Sequence, residues 1–548
     1  MMMNTICRAI ILVAALACAQ GRAAGPFFYP DDPIPKFPEP GDASKVAVLE
    51  ASQGFDFVEN TLMRPGDRQD RPAGNVNTID EVPDSSWFTN RIGAREITVA
   101  ELVRGPNTVD GPAAGTWMVL RGDATGITPG FRINDARGDL YFIKVDPPNY
   151  LEMATGAEVV STKIFHALGY NVPQNFAVTI RPEQLDISKA QTTMPDGRRR
   201  PMTAEDLTLL LSKAARNADG TYRVHASRAL PGTPVGPFRY YGTRSDDPND
   251  IVPHEHRREL RGLRVFAAWV NHMDSRGINT LDTLVDTPAG KRVRHNLLDF
   301  GSTLGSAAIA RKSRRSGHEY IWDVGKMWLR IFTFGLVVPR WTLIDFPDDL
   351  PAVGGFESEY FDPTKWIPHY PNAAFDNARP EDLFWGARRV AAFSNDAIRT
   401  IVEQGRYSDP KAVDYLTKAL IERRDKIARA WLTSTNPLVD FSLAANGTLT
   451  FKNAAVDAGV AEAPSEYRTR WGRFDNTTGE ATLSAAGAAA SGATTRVQAP
   501  ADVLAKAQYI RLEIETVHPQ YSSWAKPLKV TFRRTNAGWR TVGLERTR

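Results

Sequence analysis

Apolar positions change their period several times along the chain, and each change marks a boundary. The first apolar stretch, Ala9 to Ala17 (AIILVAALA), follows a short start carrying one cation, Arg8, and precedes small residues through Ala24. That is the three-part layout of a secretory signal, and the run is too short to span a bilayer. Residues 1–24 are therefore expected to be a cleaved leader. Residues 25–41 mix Pro, Asp and aromatics and predict an extended surface arm. Residues 42–115 show little period beyond a helical signal at Ile97 to Val103, so 25–115 is expected to be an N-terminal extension.

From Trp117 the pattern sharpens. Trp117 to Leu120 predicts a strand, Gly122, Gly126 and Gly130 a glycine-rich turn, and Phe131 to Ile133 and Leu140 to Val145 two more strands joined by hairpin chemistry at Asp135 to Gly138. Pro147 and Pro148 break the chain. A helix is predicted from about Thr155 to Leu168, with Thr155 and Glu158 at capping-box spacing and Gly169 at the stop. Phe176 to Ile180 predicts a strand, Glu205 to Ala215 a helix after Thr203, and Tyr222 to Leu230 an extended segment. Glu255 to Asn271 carries Leu260, Leu263, Phe266, Ala267 and Val270 on one helical stripe. A loop over Met273 to Asn279 leads into strands at Thr280 to Val285 and Val293 to Leu298, and the hairpin ends in Asp299-Phe300-Gly301. Trp328 to Val338, interrupted by Arg330 and stopped by Pro339, is expected to be core helix rather than membrane contact. Residues 386–432 are helical. Beyond Pro437, Tyr509 to Val517 and Leu528 to Phe532 alternate with period two, so 438–548 is predicted to be a small all-β domain.

Composition changes little in this picture. Hydrophobic residues make up 42% and charged residues 24%, which is ordinary for a globular protein, and a net charge of +4 spread along the chain makes no nucleic-acid case. Both cysteines, Cys7 and Cys18, lie in the leader, so the mature chain has no disulfide. Ala15-Leu16-Ala17 is a poor lipoprotein signal; plain cleavage and export, to periplasm or cell surface, are preferred over a lipid anchor at Cys18. His254 and His256, beside Glu255 and Glu259, are expected to be a helix start with solvated charges rather than a metal site. Arg311 to Arg315 (RKSRR) is expected to be a solvated loop. No G-x-S-x-G elbow and no C-x-x-C pair occurs, so serine-hydrolase and thiol-redox chemistry have no support.

The candidate chemistry lies elsewhere. Lys144 sits in a strand after the glycine turn, where a cation can be held against phosphates and backbone N–H groups can approach them; alone, it reads as an exposed hairpin lysine. Glu158 lies on the following helix, as a capping residue or as a partner for Lys144, with Glu152 in competition. His272 to Asn279 (HMDSRGIN) has the form H-x-D-x-x-x-x-N. There Asp274 can accept or align a hydroxyl proton, Asn279 can turn back to hold a metal ion, and His272 is expected to pack. Asp299, at a strand end, can ligate Mg²⁺.

This order of glycine turn, Lys, Glu, H-x-D-x-x-x-x-N loop, hairpin and D-F-G resembles the protein-kinase-like superfamily, and Glu158 to Pro173 (EVVSTKIFHALGYNVP) is similar to its HipA-like branch. The resemblance covers residues 117–305, and 432 by continuity. It implies a two-lobed α+β fold at 116–432, with a small lobe at 117–180 and a helical lobe at 181–432. It also implies ATP and Mg²⁺ as cofactors and phosphoryl transfer to a protein or small-molecule hydroxyl. Carried over residue by residue, Gly122, Gly126, Gly130 and Lys144 hold phosphates, Glu158 orients Lys144, Asp274 is the catalytic carboxylate, and Asn279 and Asp299 hold the metal. The chain departs from the pattern in three places. The glycines are spaced G-x3-G-x3-G, Met273 replaces the usual arginine, and no A-P-E segment follows the D-F-G. Two alternatives stay open: a kinase-shaped binding or adhesion protein without catalysis, since exported compartments of bacteria are poor in ATP, and an enzyme that transfers AMP.

Overall fold

The computed structural model describes residues 25–123, 129–194, 197–484, 488–505 and 507–547; the leader with Cys7 and Cys18, and Gly126 of the glycine turn, lie outside them. In the extension only short helices form, α1 (Gln53–Val58) and α2 (Val99–Arg104), the latter opened by a capping box between Thr98 and Glu101. Side chains fix the remainder. Trp87 stacks on His295 with ring centroids 3.5 Å apart, and Phe88 is buried against Trp385. The arm is not merely superficial, because Phe28 is buried between Phe474 and Tyr509.

The period-two residues after Trp117 build an eight-stranded sheet. Its strands are β1 (Trp117–Asp123), β2 (Gly130–Asn134), β3 (Leu140–Val145), β4 (Gln174–Ile180), β5 (Leu185–Asp186), β6 (Gln191–Thr193), β7 (Arg199–Pro201) and β8 (Tyr222–Arg228), in spatial order β4-β8-β3-β2-β1-β6-β7 with β5 beside β1. The sheet thus runs on past Ile180. Val224 and Ala226 of β8 are fully buried, and that strand slots between β3 and β4, antiparallel to both. Helix α3 (Met153–Leu168) packs on the sheet and leaves only Ala154 and His166 short of full burial. The expected capping box does not form, because Thr155 lies inside the helix. Asp146, buried just after β3, instead accepts the backbone N–H groups of Glu152 and Thr155 at 2.9 Å and the Thr155 hydroxyl at 2.7 Å. Gly169 ends the helix at φ +127°, where an added Cβ would lie 2.3 Å from the Phe88 ring. Helix α4 (Ala204–Ser212) covers the far side of the sheet with Leu210 and Leu211.

Strand β9 (Thr233–Pro234) leads to helix α5 (Arg258–Val270), the centre of the helical part, and to the hairpin β10 (Thr280–Thr287) and β11 (Gly290–Leu297). After α6 (Val324–Phe332) and α7 (Ala373–Asp376), the helices α8 (Pro380–Ala391) and α10 (Pro410–Trp431) pack on α5, and α9 (Asn395–Glu403) packs on α10, α2 and α3. The charges before α5 are not solvated. His254, Glu255, His256, Arg257, Arg258, Glu259 and Arg261 are all buried, because the extension and α8 close over them. Asp382 of α8 takes Arg258 at 2.9 Å and Arg261 at 3.2 Å, while Asp250 takes His254 at 2.7 Å and Arg257 at 3.0 Å. Burial is tolerable there because each charge has a partner.

Two further expectations need correction, the first only at Lys312, since Arg311 and Arg314 stay exposed in a loop. In the basic run Lys312 is buried and donates to the carbonyl of Asn271, while Arg311, Arg314 and Arg315 pair with Asp348, Asp345 and Glu319. The apolar stretch at Trp328 is not core, since no residue of α6 is buried. No described helix is long and apolar enough to cross a membrane.

The C-terminal strands form a three-stranded and a six-stranded sheet, the latter built round Glu466–Phe474, Tyr509–Val517, Leu528–Thr535 and Gly538–Arg546. Trp471, Leu512, Ile514 and Phe532 fill their core.

Candidate active site

β3 ends one residue beyond Lys144, whose neighbours across the sheet are Gly130 on β2 and His225 on β8. Gly130 has no room for a side chain, as an added Cβ would lie 2.6 Å from the carbonyl oxygen of Ile143. Gly122 is likewise a strand residue, opposite Phe131, and its missing side chain makes way for Met202. The two glycines are therefore strand residues rather than turn residues.

The hairpin β10–β11 delivers Asp299 from the opposite side. Its backbone is left-handed (φ +59°), a conformation Asp tolerates better than most residues. The bend sends Phe300 into the core, stacked on Phe165 at 4.8 Å and beside His272 at 5.6 Å. It also leaves the Asp299 carboxylate facing the sheet, where Oδ1 accepts from Lys144 Nζ at 2.8 Å. Burial opposes the charge on both groups. The Asp299 and Glu158 carboxylates nonetheless hold Lys144 above its ordinary pKa, and Lys144 holds Asp299 below its own.

Glu158 points into the same space from α3. Lys144 pairs with Asp299 rather than with Glu158, because the bend at Asp299 brings that carboxylate within bonding distance. The Oε2 of Glu158 is buried with no hydrogen-bond partner, and His225 Nε2 lies 3.9 Å from Oε1. Burial pushes the Glu158 carboxyl up to about 8 and His225 down to about 3. Glu152, the competitor, is engaged elsewhere and accepts from the Ser408 backbone at 2.7 Å.

The loop after α5 supplies Asp274. Arg276 grips it with both arms, Nε at 2.6 Å from Oδ1 and Nη2 at 2.9 Å from Oδ2, and His369 Nδ1 lies 3.1 Å from Oδ1. Although the carboxylate is buried, these cationic and hydrogen-bonding partners hold its pKa far below the usual range. Such a group orients a hydroxyl better than it keeps a proton. Asn279 Nδ2 donates to the Asp274 carbonyl at 2.9 Å, which closes the loop. His272 packs, as expected, and Met273 is buried in the core. Lys312 lies behind the loop, its amine brought down to about 7 by burial. A cavity of about 660 Å³ opens beside Gly277 and Ile278, walled on its other side by Asp56 and Glu59 of the extension. Asp56 accepts from the Tyr370 hydroxyl there.

The donor set suits a hard cation between phosphates: carboxylate and amide oxygens, one lysine, and an orphaned buried carboxylate oxygen. Among the described residues no group of three or more His, Cys, Asp or Glu side chains converges on one point. Sequence reasoning missed Arg276, His369 and His225. Only Arg276, two positions after Asp274, had a local signal; the others arrive through chain reversals of many residues.

A scan against protein-family models finds no match, and a comparison with curated proteins finds none either. Among solved structures the chain is similar to a Helicobacter pylori proinflammatory kinase, CtkA, at 13% identity over 54% of this chain and 90% of that one, with a TM-score of 0.28. It is also similar to the Golgi casein kinase, at 12% identity over 60% of this chain and 74% of that one, with a TM-score of 0.25. At that similarity the chemistry of this chain has to be read from its own side chains.

Proposed function

We propose that the chain is an exported kinase-like phosphotransferase that moves the terminal phosphoryl group of ATP, with Mg²⁺, to a protein or small-molecule hydroxyl. The observation that carries this reading is the 2.8 Å pair between Lys144 and Asp299, close enough to Asp274 for its charge to act on both. A lysine and an aspartate held together are the two residue types that such chemistry sets on phosphate and on metal. Bound Mg²⁺ would neutralise charge on the transferring phosphoryl group. Asp299 and Asn279 would hold the ion, Lys144 would hold phosphate oxygens, Asp274 would orient the acceptor hydroxyl, and Glu158 would receive Lys144 when Asp299 turns to the metal.

One observation favours a second reading, a kinase-shaped binding protein. Both oxygens of Asp274 are already engaged by Arg276 and His369. One experiment separates the two. The chain and its Asp299→Ala and Asp274→Asn variants are incubated with Mg²⁺ and ATP labelled in either the γ- or the α-phosphate, and thermal stability is followed in parallel. Phosphotransfer predicts γ-label in an acceptor or in the chain itself, and a Mg²⁺-dependent rise in stability that Asp299→Ala abolishes. It also predicts that Asp274→Asn keeps binding but loses at least about a hundredfold in rate. Binding without transfer identifies the second reading, α-label alone identifies AMP transfer, and no stabilisation at millimolar ATP overturns both transfer readings and leaves a kinase-shaped protein that binds something else.

A further inference from the structure

A cavity of about 600 Å³ lies where α2, α3 and β4 meet the turn after α9, and it shares no lining residue with the cavity beside Gly277. None of Lys144, Glu158, Asp274, Asn279 and Asp299 lines it. Its walls are cationic. Lys163 of α3 is only 5% exposed there. The Nζ donates to the carbonyls of Val103 and Arg104, the latter at 3.1 Å, which uses two of the ammonium's three donors. Burial, and then the charge of Arg406, bring this amine down to about 8, so it is still a cation at neutral pH. Arg406 has a left-handed backbone (φ +52°), where glycine or asparagine fits more easily, and Arg223 holds that turn by donating to the Gly405 and Arg406 carbonyls.

Arg104 is the third cation. It and Arg406 are exposed, and their hydrogen bonds go to backbone, the Asn107 carbonyl at 2.9 Å and the Ala177 carbonyl at 3.2 Å. Asp110 is the one acid among the described lining residues. The acids three positions before Arg104 and Arg406, Glu101 and Glu403, are taken by Arg95 and Arg399. Three cations thus meet one carboxylate, and two positive charges are left over.

The same walls carry acceptors without donors. Asn175 of β4 is 2% exposed; its Nδ2 donates to the Thr162 hydroxyl at 2.7 Å, while its Oδ1 is buried with no hydrogen-bond partner among the described residues. Asn107 Oδ1 is in the same state. Buried amide oxygens are costly unless a donor reaches them. Val159 and Phe176 add apolar surface. A bare inorganic anion would satisfy the cations and leave the amide oxygens short of donors, and an apolar molecule would satisfy neither. A phosphomonoester dianion on a polyol meets all three demands, with phosphate oxygens for the guanidinium and ammonium groups, hydroxyls for the amide oxygens and C–H faces for the apolar wall. The volume is that of an ordinary small-molecule site.

We propose that this cavity binds a small polyol phosphomonoester, its phosphate on Arg104, Lys163 and Arg406 and its hydroxyls on Asn107 and Asn175. Val159 and Lys163 belong to the helix that carries Glu158, so the occupant also touches α3. This assignment stands on the cavity alone and is independent of phosphoryl transfer.

The test is titration calorimetry on the chain from Gly25, which contains every described residue, with glucose 6-phosphate, glucose and inorganic phosphate as probes and no nucleotide present. Two variants are compared. Arg104→Gln/Arg406→Gln changes only exposed side chains, and Asp299→Ala disables the candidate active site; thermal midpoints without ligand establish that both remain folded. The proposal predicts that glucose 6-phosphate binds at least about tenfold more tightly than either glucose or inorganic phosphate. It also predicts that the double arginine variant weakens this binding at least about tenfold, and that Asp299→Ala leaves it unchanged. No binding of glucose 6-phosphate at millimolar concentration, equal affinity for inorganic phosphate, affinity unchanged in the double variant, or binding lost in Asp299→Ala overturns the proposal.

Discussion

Buried histidines set the response of this protein to acid. Unfolded, an imidazole titrates near 6.5; folded, burial holds His225 and His166 down to about 3 and His272 to about 4. The unfolded chain therefore takes up protons that the folded chain refuses, and the stability these groups give above pH 6.5 is lost as pH falls toward 3. Burial moves Glu158 the other way, to about 8, so its contribution is present below 4.5 and lost as pH rises to 8. His318 is likewise held down to about 4, so four imidazoles oppose the Glu158 carboxyl, and denaturant midpoints should fall steadily from pH 6.5 to 4. His225→Gln removes one titrating group and should flatten that slope by about one proton. An unchanged slope would mean that His225 is protonated in the folded protein. At this scale the sequence named Lys144, Glu158, Asp274, Asn279 and Asp299, because their spacing lies within local loops and turns. It could not say that Lys144 bonds Asp299 and leaves Glu158 Oε2 without a hydrogen-bond partner, since that depends on the left-handed backbone at Asp299.

The element that matters most to the site is α3, which carries Glu158 and packs Phe165 against Phe300. Its start is secured from outside by Asp146, which bonds two backbone N–H groups and the Thr155 hydroxyl, while Arg223 Nε bonds that hydroxyl at 2.7 Å. Asp146→Ala should cost about 2 kcal/mol or more, since it removes a buried cap and leaves donors unsatisfied. Urea denaturation measures the loss, and amide exchange should quicken first in the opening turn of α3. A loss below about 0.5 kcal/mol would show that the cap is dispensable. The helix itself was legible from its apolar period and Gly169. Its cap was not, because a carboxylate beyond the preceding strand leaves no spacing signature.

The arm and the C-terminal sheets bear on the whole molecule. Phe28 is buried against Phe474 and Tyr509, Arg533 donates to the Tyr29 and Pro30 carbonyls, Leu544 N–H donates to the Thr78 carbonyl, and Trp524 belongs to the core of the helical part. The arm and the C-terminal sheets are thus bound to one another and to the middle. Phe28→Ala should cost about 3 kcal/mol, whereas Phe27→Ala, at a half-exposed ring, should stay within about 0.5 kcal/mol. Thermal unfolding with limited proteolysis of the 438–548 region reads both. Equal effects from the two would show that the arm is held by its backbone alone.

The sequence by itself determined the succession of strands and helices, the hairpin before Asp299, the loop that presents Asp274 and the period-two C-terminal strands. Each of these is written in local period and turn chemistry, which neighbouring residues fix without distant help. The tertiary structure decided the rest. It inserted β8 between β3 and β4, buried the charged run from His254 to Arg261 beneath Asp382 and the extension, drew Lys312 inside and left α6 outside. An apolar stripe reads the same whether protein covers it or not, and a charged run reads the same whether water or a distant carboxylate neutralises it. Only the folded chain, by bringing those distant partners to each surface or withholding them, separates the cases.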